Sequence, residues 1–179
     1  NKQEKIYFMD IKSIKYELNK LIRGINLFVY FTIWSNLLIA YAGYRLSRNS
    51  TIKSSLFWGL YIAGLGGTAL TFAIHRLFLA GPLTGLPLFS DTILHIIVPA
   101  LSILIWLKFG VRGMINRKTI LVSAVMPTAW LGLTFLRGSI TGWYPYDFLD
   151  VPTKGIAVSV LTSLAIYAVM YVIIATFWW

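Results

Sequence analysis

The sequence predicts an all-α fold, a polytopic bundle of helices crossing a membrane. Three observations carry that expectation. Of 179 residues, 58% are hydrophobic and only 12% charged, with a mean hydropathy of +0.73. The apolar residues gather in long continuous runs separated by short polar loops. The runs do not alternate apolar with polar, as barrel strands must. Helices and closed barrels are the two structures that satisfy every backbone group in lipid, so helices remain.

Five runs are long enough to cross about 30 Å of hydrocarbon, which takes about 20 helical residues. They cover 25–44, 56–79, 92–109, 119–136 and 155–177. Before them, Ile11, Ile14, Leu18, Leu21 and Ile25 recur at helical spacing among lysines. Residues 1–24 therefore read as an amphipathic interfacial tail, and 25–179 as one transmembrane helical domain. The tail lacks the apolar core and cleavage site of a signal peptide. A sixth span, preceding Asn1, would make the helix number even. In the second run, Ala63, Gly64, Gly66, Gly67 and Thr68 form a patch of small residues, which lets helix backbones approach closely.

Loop charges orient the bundle. The loop after the first run holds Arg45, Arg48 and Lys53, and that after the third holds Lys108, Arg112, Arg117 and Lys118, with no acid in either. The loops after the second and fourth runs carry Asp91, Asp147 and Asp150 beside Arg76, Arg137 and Lys154. Cytoplasmic loops carry the excess of Lys and Arg, so the acid-free loops face the cytoplasm. The net charge of +10 then reflects contact with anionic lipid, and no nucleic-acid partner is expected. Trp58, Trp106, Trp178 and Trp179 fall near the cytoplasmic ends, where interfacial aromatics belong.

Several chemistries are excluded or disfavoured. With no cysteine there is no disulfide framework, thiolate metal site or cysteine nucleophile. Two histidines, not spaced i, i+4, offer too few ligands for an expected metal site, and no cofactor motif is present. The glycines of the second run follow no strand and precede no Gly-Lys-Ser/Thr, so they are not a phosphate loop. All six acids lie in the tail or outer loops, unlike a proton-coupled transporter.

What remains are polar groups on apolar helices, which are functional-site candidates by default. Thr32, Ser35 and Asn36 share one face of the first helix at i, i+3, i+4; interhelical hydrogen bonding is their structural role. On the third, Asp91 precedes His95 by four residues, so its carboxylate can reach the imidazole and fix the tautomer. Asp91 also reads as the N-cap of that helix. Counted from the expected helix starts, Thr32 lies ~10 Å and His95 ~6 Å deep, both in the outer half of the membrane. A threonine hydroxyl needs a neighbouring base to attack, and neutral histidine is suited to that role. Such a pair fits acyl transfer on a lipid ester. Arg76 and Arg137 lie at outer helix ends, where they snorkel or pair with a carboxylate. Trp143, Tyr144, Pro145 and Tyr146 form either an interfacial belt or a wall over the outer mouth, with the tyrosine hydroxyls orienting substrate. His75, beside Arg76 at the membrane boundary, reads as exposed.

Three strings resemble a known family. FTIWSN (31–36) is similar to the first signature of the androgen-induced-protein-like membrane proteins, and DTILHIIVPALSILIW (91–106) to the second. RGSITGWYPYDFLDV (137–151) resembles a stretch of that family's bacterial branch. The resemblance implies a six-helix fold and a threonine hydrolase acting on fatty acid esters of hydroxy fatty acids. It implies Thr32 as nucleophile and His95 as base. Two alternatives stay open: an acyltransferase with the same acyl-threonine intermediate, and a non-enzymatic lipid-binding or assembly protein in which Thr32 and His95 only hold helices together.

Overall fold

The computed structural model of the chain describes Ile22 and residues 24–79, 81–111 and 113–177, and among these residues it is helical with no strand. The amphipathic tail expected over 1–24 falls outside them, save Ile22 and Gly24. A 3-10 turn, Leu27–Val29, leads to Tyr30, whose extended backbone (φ −88°, ψ 128°) breaks the helical path. Five long helical segments follow: α1 (Phe31–Arg48), α2 (Ser55–Leu79), α3 (Gly85–Phe109), α4 (Arg117–Thr141) and α5 (Ile156–Thr176). A 3-10 turn (Asp147–Leu149) and one helical turn (Val151–Lys154) fold the α4–α5 loop against the bundle.

Four segments, α2 to α5, are long and apolar enough to cross a membrane. The first expected span is shorter than its hydropathy implied. It starts at Phe31, six residues later than the apolar run, because the chain breaks at Tyr30. Thr32, Ser35, Asn36 and the terminal Arg45 and Arg48 make it the most polar of the five, so it stands outside the group of four. The third segment begins earlier than expected, at Gly85, with Thr84 as its N-cap residue. Asp91 is therefore inside a helix and is not an N-cap.

Helix α2 is the centre of the bundle. Of its most apolar stretch 78% is buried inside the protein, against 11–33% for α3, α4 and α5. Its small residues make this possible, as the sequence indicated. A Cβ placed on Gly67 would lie 2.8 Å from the Ser35 Cβ, and one on Gly64 2.9 Å from the Leu38 Cβ. Real side chains do not approach that closely, so α1 docks on α2 only because those positions are glycine. The outward faces of the other helices carry Leu104, Leu121, Leu133, Leu161 and Val172, all exposed, as a lipid-facing surface requires.

Trp58 and Trp106 do not face outward, as interfacial aromatics would. Both are buried, in an aromatic cluster with Phe57 and Tyr61 at the end of the bundle that carries Arg45 and Lys53. The Trp58 indole N–H donates to the Ile52 carbonyl at 2.8 Å, so its polar edge is satisfied without water. Trp178 and Trp179 lie outside the described residues.

At the opposite end, two helices change pitch. α2 closes in a π-turn, His75–Leu79, and α3 contains another, Ile93–Ile97. Pro99 supplies the reason for the second. It has no N–H to give to the His95 carbonyl, and the Val98 N–H reaches five residues back to Ile93. π-turns occur mostly as local insertions in α-helices, frequently at functional sites. Here each one carries one of the chain's two histidines.

Candidate active site

The fold brings the N-terminus of α1, the end of α2, the first half of α3 and the α4–α5 loop to one end of the bundle. Thr32 is the second residue of α1 and only 5% exposed. Its Oγ1 lies 3.2 Å from Nε2 of His95. The other nitrogen of that ring, Nδ1, lies 2.9 Å from Oδ1 of Asp91. The three groups form a continuous chain: hydroxyl, imidazole, carboxylate. A carboxylate only accepts, so His95 Nδ1 carries the proton. Nε2 then offers a lone pair to the Thr32 hydroxyl, which donates.

The depths read from sequence do not survive, although the contact does. Thr32 is one residue into its helix and His95 ten into its own, because α1 starts late and α3 early. The two meet because the π-turn of α3, which carries Leu94 and His95, lies against the first turns of α1.

Local packing fixes the nucleophile helix. The Trp130 indole N–H donates to the Val29 carbonyl at 3.0 Å, and that of Trp34 to Phe28 at 2.7 Å. These two bonds hold the 3-10 turn that precedes α1. Asn36 donates to the Thr32 carbonyl at 2.8 Å and across to Leu94 at 3.3 Å, on the π-turn of α3. Asn36 is thus a strut between the Thr32 and His95 helices. Ser35 is fully buried and donates back to Phe31 and Thr32 of its own helix. It packs against α2 and does not reach the site.

Above Thr32 and His95 lies a cavity of about 390 Å³, within the range of small-molecule sites. Its walls include Leu70, Ile74, Trp130, Leu149 and Met170, and its polar lining includes Thr32, His75, His95 and Tyr146. The sequence placed Tyr144 and Tyr146 together, and the structure separates them. Tyr146 faces the Thr32 side chain and the first backbone groups of α1, and burial raises its phenol above the usual range. It is held between Trp130 and Phe148. Tyr144 instead lies on α4, against Phe135 and Gly138. Trp143 is exposed and carries the Arg137 guanidinium over its ring at 4.7 Å.

Neither arginine enters the site. Arg137 donates to the Trp143 carbonyl at 3.4 Å and to Asn26 Oδ1 at 3.3 Å. Arg76 is exposed, and among the described residues neither pairs with a carboxylate.

His75 is not the exposed boundary residue the sequence suggested. It is 8% exposed, and its Nε2 lies 2.8 Å from the same Asp91 Oδ1 that binds His95. The two imidazoles stack, centroids 4.0 Å apart and planes 3° from parallel. The missed signal was position: His75 lies twenty residues into a 25-residue segment apolar enough to cross a membrane, and an ionisable residue on such a segment is a functional candidate by default. Nitrogen atoms of both rings and the Asp91 carboxylate come within 4.8 Å of one another, a donor set of zinc type. Spacing along the chain hid this grouping. Metal-bound histidines almost always donate their second N–H, but Nδ1 of His75 is buried with no partner among the described residues. The hydrogen-bonded arrangement suits that nitrogen better, because a bare lone pair there strands no donor.

No family model, curated protein or solved structure matches the chain.

Proposed function

We propose that the protein is an integral lipid ester hydrolase of the cell membrane, acting from the outer leaflet through an acyl-Thr32 intermediate. The observation that carries this reading is the chain Thr32 Oγ1–His95 Nε2–His95 Nδ1–Asp91 Oδ1, at 3.2 and 2.9 Å, opening on an apolar cavity. The three strings that resemble the threonine hydrolase family include all three residues and Tyr146. Fatty acid esters of hydroxy fatty acids, or similar lipids, are the substrate class. A cavity walled by Leu70, Ile74 and Met170 suits an acyl chain, and a charged terminus would remain at the mouth.

The steps follow from hydroxyl–imidazole–carboxylate chemistry. The Thr32 hydroxyl attacks the ester carbonyl carbon, and its proton passes to His95 Nε2. Asp91 holds the ring in place and balances the imidazolium. The negative oxygen of the tetrahedral adduct forms beside the first turn of α1 and beside the Tyr146 hydroxyl. In that turn the Ile33 N–H is taken by the Tyr30 carbonyl, but the first N–H groups, those of Phe31 and Thr32, have no intrahelical acceptor. Donors aimed at a developing oxyanion are a major source of rate. The carbon–oxygen bond to the alcohol then breaks as His95 returns the proton to the leaving oxygen. Water attacks the acyl-threonine with His95 again as base, releasing the acid and restoring the Thr32 hydroxyl.

A long-chain alkyl fluorophosphonate incubated with purified protein should modify Thr32 and no other residue. Fatty acid should accumulate from a lipid extract in the same preparation. Transfer of the acyl group to added lysolipid in preference to water would make the protein a transferase. Absence of both labelling and ester loss from folded protein would sink the reading.

A further inference from the structure

We propose that His75 is a positioning residue: its Nε2–H holds the Asp91 carboxylate from a second helix, and its ring fixes the plane of His95. The proposal rests on the Thr32–His95 reading and adds a group that reading does not use.

The hydrogen-bond inventory sets the protonation of His75. Nε2 faces a carboxylate oxygen at 2.8 Å, which can only accept, so Nε2 carries a proton. Nδ1 is buried and has no partner among the described residues. A proton there would be a buried donor with no acceptor, which is more costly than an unused lone pair. His75 is therefore neutral, with one donor committed to Asp91.

That donor does something Asp91 and His95 cannot do for themselves. The two are four residues apart on one helix, joined through a π-turn, so neither anchors the other against the rest of the bundle. His75 comes from α2, the central and most buried helix. Its N–H ties the α3 carboxylate to that fixed frame. Asp91 Oδ1 then accepts from two nitrogens, at 2.8 and 2.9 Å, and the carboxylate is not free to rotate. The parallel stack at 4.0 Å covers one face of His95, so its ring cannot turn Nε2 away from Thr32.

The chain has only two histidines, which makes the test direct. Long-range ¹H–¹⁵N spectra of histidine-labelled protein in micelles at neutral pH report two rings. The expected result is one Nε2–H ring, His75, and one Nδ1–H ring, His95. Three variants then separate donor from stack. His75→Phe keeps a flat ring and removes the donor, His75→Gln keeps an amide donor, and His75→Ala removes both. The lone remaining ring should lose its single tautomer in His75→Phe and keep the Nδ1–H form in His75→Gln. For ester hydrolysis, kcat should fall roughly tenfold or more in His75→Phe with KM little changed, a loss of positioning and not of binding, and His75→Gln should recover part of it. If His75→Ala does not fold, the Phe and Gln variants carry the comparison.

A wild-type His75 proton on Nδ1 would overturn the proposal. So would an undisturbed His95 tautomer in His75→Phe with wild-type kcat. Stoichiometric zinc shifting both rings together would also overturn it, and would make the cluster a metal site. If wild type hydrolyses no ester, the functional reading fails, and the spectra still decide whether His75 orients His95.

Discussion

Thr32 and His95 are 63 residues apart in sequence and 3.2 Å apart in space. The contact joins the N-terminal turn of one helix to the middle of another. It exists because Gly64 and Gly67 let α1 sink against α2, and because Asn36 ties α1 to the π-turn that carries His95. An interhelical hydrogen bond in a membrane averages only about 0.6 kcal/mol. The contact is therefore held by packing around it, and its loss should cost chemistry more than stability.

The nucleophile assignment makes the first prediction. Thr32→Ala should lose phosphonate labelling and hydrolysis while folding as wild type. Thr32→Ser keeps an oxygen in place and should keep part of the activity. Removing the base in His95→Ala should cost about 10²–10⁴-fold in rate. Initial rates and intact-protein mass spectra measure all three, and wild-type hydrolysis by folded Thr32→Ala rules out the assignment.

Asp91→Asn is the second test. The amide keeps the shape and brings N–H donors to face the N–H groups of two imidazoles, so His95 would turn its lone pair toward the new amide. The proton would then sit on Nε2, where it cannot accept from Thr32. A fall in kcat of about 10²–10⁴-fold is expected, the upper figure being the loss that the same carboxylate-to-amide change causes in a Ser-His-Asp triad through the wrong tautomer. An unchanged kcat would show that Asp91 does not set the tautomer.

Tyr146 gives a prediction in two parts. Removing its hydroxyl in Tyr146→Phe should lower kcat by up to about 10²–10³-fold, the range for one oxyanion donor, with folding intact. Burial raises the Tyr146 phenol above its usual value, so the folded protein binds this proton more tightly than the unfolded chain. The resulting stability is present below the unfolded value of about 10 and is lost as pH rises through the folded value. Thermal melts above about pH 10 should therefore fall less steeply in Tyr146→Phe than in wild type, and identical slopes would contradict this.

Helix packing predicts opposite signs for two glycines. Gly67→Ala places a methyl 2.8 Å from the Ser35 Cβ and 3.4 Å from the Phe31 ring, so it should lower the melting temperature and disturb Thr32. Gly132→Ala meets nothing within 4 Å on an exposed face of α4. Alanine there should gain about 0.5–1 kcal/mol from helix preference. Equal effects at the two positions would refute the close approach of α1 to α2.

Orientation is checked by labelling. In Ser50→Cys and Ser139→Cys, an impermeant thiol reagent added outside intact cells should reach residue 139 and not residue 50. The reverse pattern would place Thr32 in the inner leaflet.

The sequence by itself determined the helical class, because long apolar runs with few charges leave no other way to satisfy backbone groups in lipid. It also determined the tight packing of the second run, since clustered glycines have one clear physical use there. The pairing of Asp91 with His95 was legible, being a local i, i+4 relation on one helix. Thr32 against His95 was an inference from chemistry and resemblance, and the depth argument for it failed because helix ends are not written in hydropathy. Tertiary structure alone decided the rest. It withdrew Tyr144, Arg76, Arg137 and Ser35 from the site, buried Trp58 and Trp106, and turned His75 from an exposed boundary residue into the second donor to Asp91. Those outcomes depend on which helix faces which, and on two π-turns that shift side chains by a fraction of a turn. Hydrophobic periodicity in a membrane helix is too weak to encode either, because lipid and protein neighbours are equally apolar.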